Sequence, residues 1–305
     1  MRILIAGGSG FLGTPLTAAL TAAGHEVIIV SRQPVGTSAG PVGRVITEAW
    51  PHEHAAGRWA SDRGPFDAII NLAGASIGDV RWSPARKALL VSSRINTTRT
   101  LVTLVEHATP RPALLINASA VGFYGNCGEQ TLTEEAPAGS DFLATLCRDW
   151  EAAAQTARHA STRVVLLRTG LVLDTHGGAL ARMLLPFKLG VGGPFGSGRQ
   201  YVSWIHRDDW VRLVVWLLGA SGVDGPVNAV SPLPVTNADF AAALGRAMHR
   251  PSALPAPAFA LKAALGEMAE PLLLFSQRVL PARATRAGWV FQHPTLDGAL
   301  AHLLI

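Results

Sequence analysis

Short, almost wholly apolar runs alternate along the first half of the chain with longer stretches in which apolar residues recur every three or four positions. The apolar runs at 2–6, 26–30, 67–72, 113–119 and 163–168 predict β-strands, with a weaker strand at 42–46. The longer patterns at 12–23, 84–107 and 142–158 predict helices, and Gly24 is placed to stop the first of them. Strands that alternate with helices build parallel βαβ units with helices on both faces of the sheet. A strand covered on both faces shows no polar side, and residues 3–6 and 27–30 are apolar at every position. The expected class is therefore α/β, a Rossmann doubly wound parallel sheet.

Beyond residue 173 the rhythm changes. Residues 177–198 are rich in Gly, Pro and apolar side chains, 208–218 and 237–248 carry helical patterns, 251–257 is a proline-punctuated linker, and 258–279 is mostly helical in pattern. The expected organisation is a cofactor-binding Rossmann domain over 1–173, with segments around 200–230 returning to it. A smaller, mixed but mainly helical substrate-side lobe with a C-terminal helical extension follows over 174–305. No internal repeat or low-complexity segment interrupts either half.

Composition narrows the function. With 305 residues and 49% hydrophobic composition the chain can bury a large core, and 15% charged residues leave little for disordered tails. The formal charge of +5 suits nucleic acid or a phosphorylated ligand. No run of Lys and Arg and no zinc-binding, RNP-like or basic-helix signature is present, so no nucleic-acid partner is expected. Two cysteines, Cys127 and Cys147, make no disulfide framework, which points to a reducing cytoplasmic location. The apolar N-terminal run ends in glycines and is too short for a secretion signal, and no apolar run reaches the ~18 residues a membrane span needs. No His, Cys, Asp or Glu set has metal-ligand spacing, so no metal is expected.

The strongest motif is Gly7-Gly8-Ser9-Gly10-Phe11-Leu12-Gly13, directly after the first strand and opening the first helix. Gly7 permits the tight turn, Gly10 lets the backbone approach a pyrophosphate, and Gly13 lets helix and strand pack closely. The helix N-terminus then offers N–H groups and a positive dipole end to the phosphates. At the end of the second strand, where an NAD site carries Asp or Glu, the chain has Ser31 and Arg32. A cation and a hydroxyl there suit the 2′-phosphate of NADP, so NADP is expected over NAD. Leu72, Ala73 and Gly74 follow the fourth strand and allow close approach of the adenosine half.

The GxxGxxG spacing, Asn117-Ala118-Ser119-Ala120-Val121-Gly122-Phe123-Tyr124-Gly125 and Trp204-Ile205-His206-Arg207-Asp208-Asp209 resemble the extended short-chain dehydrogenase/reductases, the superfamily of nucleotide-sugar epimerases and dehydratases. A closer resemblance is to an atypical epimerase-like subgroup. Its marks include Arg81-Trp82, Ser93-Arg94-Ile95, Cys147-Arg148-Asp149-Trp150-Glu151, Leu184-Leu185-Pro186-Phe187, Asn228-Ala229-Val230-Ser231-Pro232, Leu265-Gly266-Glu267-Met268 and Arg278-Val279-Leu280-Pro281 with Gly288-Trp289. The resemblance spans essentially the whole chain. It implies an NADP-dependent oxidoreductase or isomerase acting on a small polar substrate, and it allows a homodimer through two long helices per subunit.

That superfamily uses a Tyr as general acid/base and a Lys four residues later to hold its pKa down. A tyrosine near pKa 10 is a poor base without such a cation. Aligning on Glu151 puts Cys147 at the Lys position and Leu143 at the Tyr position, and Arg94 stands where an active-site Asn is expected. The surviving candidates are Ser119 and Tyr124 as hydroxyl donors, Arg94 to activate Tyr124 or hold an anion, and Cys147 as a nucleophile or an apolar filler. Lys87 shares a helix face with Arg94. Glu151 is an acid/base candidate or the partner of an Arg. Further along, 190–199 is a glycine-rich loop placed to close over substrate, with Arg199 and Gln200 as polar contacts. His206 is a weaker catalytic candidate, and Asp208 or Asp209 is expected to cap a helix. The absent pair also leaves a non-catalytic NADP(H) sensor as an alternative.

Overall fold

A computed structural model of the chain describes residues 1–31, 37–39, 44–50 and 56–304. In chain order the sheet-building half contains β1 (Arg2–Ala6), α1 (Gly13–Ala22), β2 (Glu26–Ser31), β3 (Thr37–Ala39), β4 (Arg44–Ala49), α2 (Ala56–Arg63), β5 (Ala68–Asn71), α3 (Pro84–His107), β6 (Leu114–Ala120), β7 (Thr131–Leu132), α4 (Phe142–Gln155) and β8 (Arg163–Thr169). The second half contains β9 (Leu171–Leu173), α5 (Gly178–Lys188), β10 (Tyr201–Val202), β11 (Trp204–His206), α6 (Arg207–Gly219), β12 (Gly225–Ala229), β13 (Val235–Thr236), α7 (Asn237–Met248), α8 (Ala258–Leu265), β14 (Arg278–Val279), α9 (Ala282–Arg286) and α10 (Leu296–Leu303).

The main sheet runs β12-β8-β6-β5-β1-β2-β4-β3. Seven strands are parallel, and only the edge strand β3 is antiparallel to its neighbour. Side chains alternate between two cores. Ile3, Ile5, Val27, Ile29, Ile70, Ile116, Val165 and Leu167 face α1 and α6 on one side. Leu4, Ala6, Ile28, Val30, Ile69, Leu115, Val164 and Leu166 face α2, α3 and α4 on the other. This two-sided burial is the physical cause of the unbroken apolar runs in the sequence, and the fold is the expected doubly wound Rossmann sheet. The order reverses at β1, with β2 on one side and β5 on the other, which opens a crevice at the C-terminal ends of β1 and β5.

Several elements differ from expectation. The third strand is shifted to Arg44–Ala49; residues 42 and 43 of the expected span lie outside the described residues. Helix α2 buries only Ala56 and Ala60, so its apolar face is written in small residues that make a weak pattern. Helix α5 begins among glycines and contains Pro186, which disguised it as loop. The mostly helical stretch expected over 258–279 is broken at Gly266, whose φ of +66° ends α8; a 3-10 turn at Gly266–Met268 and a π-helical turn at Glu270–Leu274 continue it, and the chain then extends so that β14 pairs in parallel with β7. A third core of Leu180, Leu184, Phe187, Phe240, Leu244, Leu296 and Leu300 joins α5, α7 and α10.

Candidate functional site in the crevice

The glycine loop joins β1 to α1 at the mouth of the crevice. Gly7 has a φ of +82°, and a side chain on it would lie 2.9 Å from the backbone of Leu72. A side chain on Gly13 would stand 2.1 Å from the carbonyl oxygen of Gly7. Only hydrogen at both positions lets the loop, the helix and the turn after β5 pack this closely. The Gly10 amide closes the turn on the Gly7 carbonyl at 3.1 Å. Gly8 and Gly13 are buried, while Ser9, Gly10 and Phe11 are exposed on the crevice rim. No side chain caps α1 at Leu12; the Thr14 amide closes on the Gly10 carbonyl at 2.9 Å and Pro15 has no N–H, so the amides at Leu12 and Gly13 are the ones left to face an anion or solvent. A cradle that a Cβ would fill, below an uncapped helix start, fits the pyrophosphate of a dinucleotide.

The structure brings Leu72, Ala73 and Gly74 to the opposite wall. The Leu72 amide donates to the Ala6 carbonyl at 2.8 Å and the Ala73 amide to Asn71 Oδ1 at 3.1 Å. Asn71 is itself fixed from below, its Nδ2 donating to Asn117 Oδ1 at 2.7 Å and Thr98 Oγ1 at 2.9 Å. Ser31 ends β2, and Arg32 lies outside the described residues.

Arg94, on α3, lies beside Gly74: a Cβ there would be 3.1 Å from its Cζ. Its guanidinium stacks over the Trp150 ring at 5.2 Å and donates to the Leu90 carbonyl at 3.1 Å. Burial pulls its pKa down, the electrostatic influence of Cys147 opposing. Among the described residues no carboxylate pairs with it. Lys87, on the same helix, pairs instead with Glu267 and lies 5.0 Å from the Phe142 ring.

The other candidates meet in a buried network. Glu151 accepts two parallel bonds from Arg168, Nε and Nη2 each at 2.8 Å, and a third from Ser119 Oγ at 2.7 Å. Arg168 Nη1 also donates to Tyr124 Oη at 3.0 Å, and Tyr124 in turn donates to Asn228 Oδ1 at 2.7 Å. The cation beside Tyr124 is thus Arg168, not Arg94. Burial raises the Tyr124 pKa despite Arg168, the opposite of what a general base needs. For Arg168 burial works against the charge, but the bonds to Glu151 and Tyr124 prevail and raise its pKa. Cys147 is pushed up to about 12, chiefly by burial and then by Glu151, so its thiol is neutral.

Sequence reasoning missed Arg168, Asn228 and Glu134, whose carbonyl accepts Arg168 Nη1 at 3.2 Å and whose carboxylate accepts the Asn228 amide at 3.0 Å. The signal was an Arg at the end of an apolar strand, since a buried guanidinium demands a partner. In the second half, Gln200 Nε2 donates to the Phe195 and Leu273 carbonyls, and Arg199 lies exposed 3.7 Å from Glu129. His206 Nδ1 accepts the Asp208 amide at 3.0 Å, so the cap of α6 is His206 and not an aspartate.

Comparison with known proteins agrees with this geometry. A family model described as the NAD dependent epimerase/dehydratase family matches residues 3–229, and a second, described as a domain of unknown function (DUF1731), matches 256–303. The chain is 44% identical to the epimerase family protein MT2273 of Mycobacterium tuberculosis, over 98% of this chain and 96% of that protein. It is 38% identical to the human epimerase family protein SDR39U1 over the full length of both. The crystal structure of human SDR39U1 with NADPH superposes with a TM-score of 0.89 at 37% identity, covering 100% of this chain and 99% of the other. With its cradle, its sheet order and these matches, the chain belongs to the NAD dependent epimerase/dehydratase family.

Proposed function

We propose that this chain is an NADP(H)-dependent oxidoreductase or isomerase acting on a small polar substrate without the superfamily's Tyr–Lys pair. The observation that carries the proposal is the glycine cradle at the crevice, which admits backbone alone against the phosphates. Gly7, Gly8, Ser9, Gly10, Phe11, Leu12 and Gly13 hold the pyrophosphate, Leu72, Ala73 and Gly74 take the adenosine side, and Ser31 and Arg32 take the 2′-phosphate. The bound nicotinamide supplies hydride transfer. Arg94 supplies a cation beside Gly74 with no carboxylate of its own among the described residues, suited to an anionic group of cofactor or substrate. The 174–305 lobe closes the substrate side: Gly177 and Gly178, at the start of α5, sit against the Phe11 ring of the loop. The human relative's NADPH supports the choice of cofactor.

The test is a fluorescence titration of the purified chain with NADPH and NADH. NADPH is expected to bind more tightly. Arg32→Ala is expected to weaken NADPH by roughly 10–100-fold, the worth of a charge-assisted bond, and NADH far less. Equal losses for both would sink the 2′-phosphate assignment.

A second function, a non-catalytic NADP(H) sensor, is favoured by one observation. Ser119, Tyr124 and Cys147 are all buried, the two hydroxyls donate inward, and the thiol is neutral. Oxidation of NADPH against a carbonyl panel separates the two: turnover establishes the enzyme, and binding without turnover of any carbonyl favours the sensor.

A further inference from the structure

Away from the crevice, three imidazoles come together from distant parts of the chain. His206 ends β11, caps α6 and is fully buried. The His293 ring stacks on it with centroids 3.9 Å apart and planes at 25°. His302, on α10, presents Nδ1 to His206 Nε2 at 3.0 Å, and its ring lies 4.6 Å from that of His293. One ligand atom from each of these histidines and from Asp208 can be chosen so that all lie within 4.8 Å of one another.

We propose that His206, His293 and His302 form a binding site for a borderline divalent cation of the zinc type, which staples the C-terminal extension to the start of α6. Neutral imidazole nitrogen is a preferred ligand for such ions. On a tetrahedral zinc with Zn–N of about 2.0–2.1 Å, two ligand nitrogens stand about 3.3 Å apart. The 3.0 Å between His206 and His302 needs to open by only a few tenths of an ångström, and the His293 ring, stacked on His206 at 25°, turns about its side-chain bonds to bring the in-plane lone pair of a nitrogen onto the same ion.

Each ligand is anchored separately. The Asp209 carboxylate accepts the Gln292 and His293 amides, both at 2.8 Å, and Ser231 Oγ donates to the Pro294 carbonyl at 2.8 Å, which fixes the segment carrying His293. His302 rides on a helix seated through Leu296, Ala299 and Leu300. His302 is exposed, so the fourth position opens to solvent and a water fills it. The protons balance by a change of tautomer. With Nδ1 accepting the Asp208 amide, neutral His206 carries its proton on Nε2. Binding moves that proton to Nδ1, where Asp208 Oδ2, now 4.0 Å away, becomes its acceptor in place of the cap bond. Such a carboxylate–histidine–metal arrangement orients the ring and strengthens the ligand. Asp208 and Asp209 in the first turn of α6 also offset the positive end of the helix.

The experiment uses the full chain, tag-free and stripped with chelator, titrated with zinc alone and followed by calorimetry and thermal unfolding. Expected are one ion per chain and a rise in Tm of about 5 °C at zinc a hundredfold above its Kd. His302→Ala, at the exposed member, is expected to lower zinc affinity at least tenfold with the fold intact. His176→Ala, an exposed histidine outside the cluster, is expected to change nothing. Cobalt substituted for zinc is expected to give the visible bands of a low-coordinate nitrogen site, lost in His302→Ala. Failure to bind one zinc per chain, or equal affinity in the parent and His302→Ala, would overturn the site and leave a stacked set of imidazoles. NADPH titration of the same samples stays unchanged in either case, which keeps this test separate from that of the cofactor.

Discussion

At the residue scale the buried network makes its own energetics testable. The Arg168 and Glu151 side chains are only 5% and 7% exposed, and their bond is bidentate. Removing one partner of such a pair strands the other charge away from water. Glu151→Ala is expected to cost about 3–5 kcal/mol in urea unfolding, more than the loss of an exposed ion pair. Tyr124→Phe leaves Asn228 Oδ1 without its donor and is expected to cost about 1–3 kcal/mol. Loss of turnover in Tyr124→Phe with full stability would instead make Tyr124 catalytic. For Cys147, a folded pKa of about 12 lies above the ordinary thiol value. The stability this shift contributes is fully present below the unfolded pKa and is lost as pH rises through the folded one. Iodoacetamide at pH 8 is expected to leave Cys147 unmodified until the chain unfolds; rapid alkylation of the native protein would contradict its burial. The ion pair of Glu151 was legible in residue type, because a carboxylate on an apolar helix face wants a cation. Its partner was not, because Arg168 reaches it across strand and helix rather than along one element.

At the element scale, legibility followed burial. Five of the seven parallel strands declared themselves because covering both faces forces nearly every position to be apolar; β4, only half-buried, gave a weak and shifted signal, and β12, written Gly225-Pro226-Val227-Asn228-Ala229, gave none, while α3 and α7 have the bounds their periodicity predicts. Helix α2 buries alanines and α5 carries glycine and proline, so the same physics left no readable pattern there. The glycine loop was legible because its constraint is local: strand, turn and helix start lie within one short segment. That constraint predicts the outcome of Gly13→Ala. The new methyl would stand 2.1 Å from the Gly7 carbonyl oxygen and 2.7 Å from Gly8 backbone, and neither is a flexible side chain that can give way. The helix start must move off the strand, at about 1–3 kcal/mol of overpacking. NADPH binding is expected to fall more than stability does. Native-like affinity in a folded Gly13→Ala chain would show that the cradle does not hold the cofactor.

At the scale of the whole molecule, the C-terminal extension is a strap bound into the Rossmann half by partly and fully buried polar bonds; the motif Arg278–Pro281 with Gly288-Trp289 marked the extension, but no local sequence pattern announced these bonds. β14 pairs with β7, Asn228 Nδ2 donates to the Leu280 carbonyl, and the Glu134 carboxylate accepts both the Asn228 and the Arg283 amides. Asp209, fully buried, holds the Gln292 and His293 amides and pairs with Arg212 at 3.0 Å. Asp209→Ala removes the acceptor for two partly buried amides and the partner of a cation at once. A stranded buried donor costs about 1–3 kcal/mol and a partly buried one falls toward the low end, so the substitution is expected to lower stability by about 2–4 kcal/mol. The loss should not be uniform. The main sheet keeps its two apolar cores, so the strap should open first, and limited proteolysis should cut between 280 and 295 before it cuts elsewhere. A variant within about 1 kcal/mol of the parent, cut no faster in that segment, would mean that the strap is held by its apolar contacts alone.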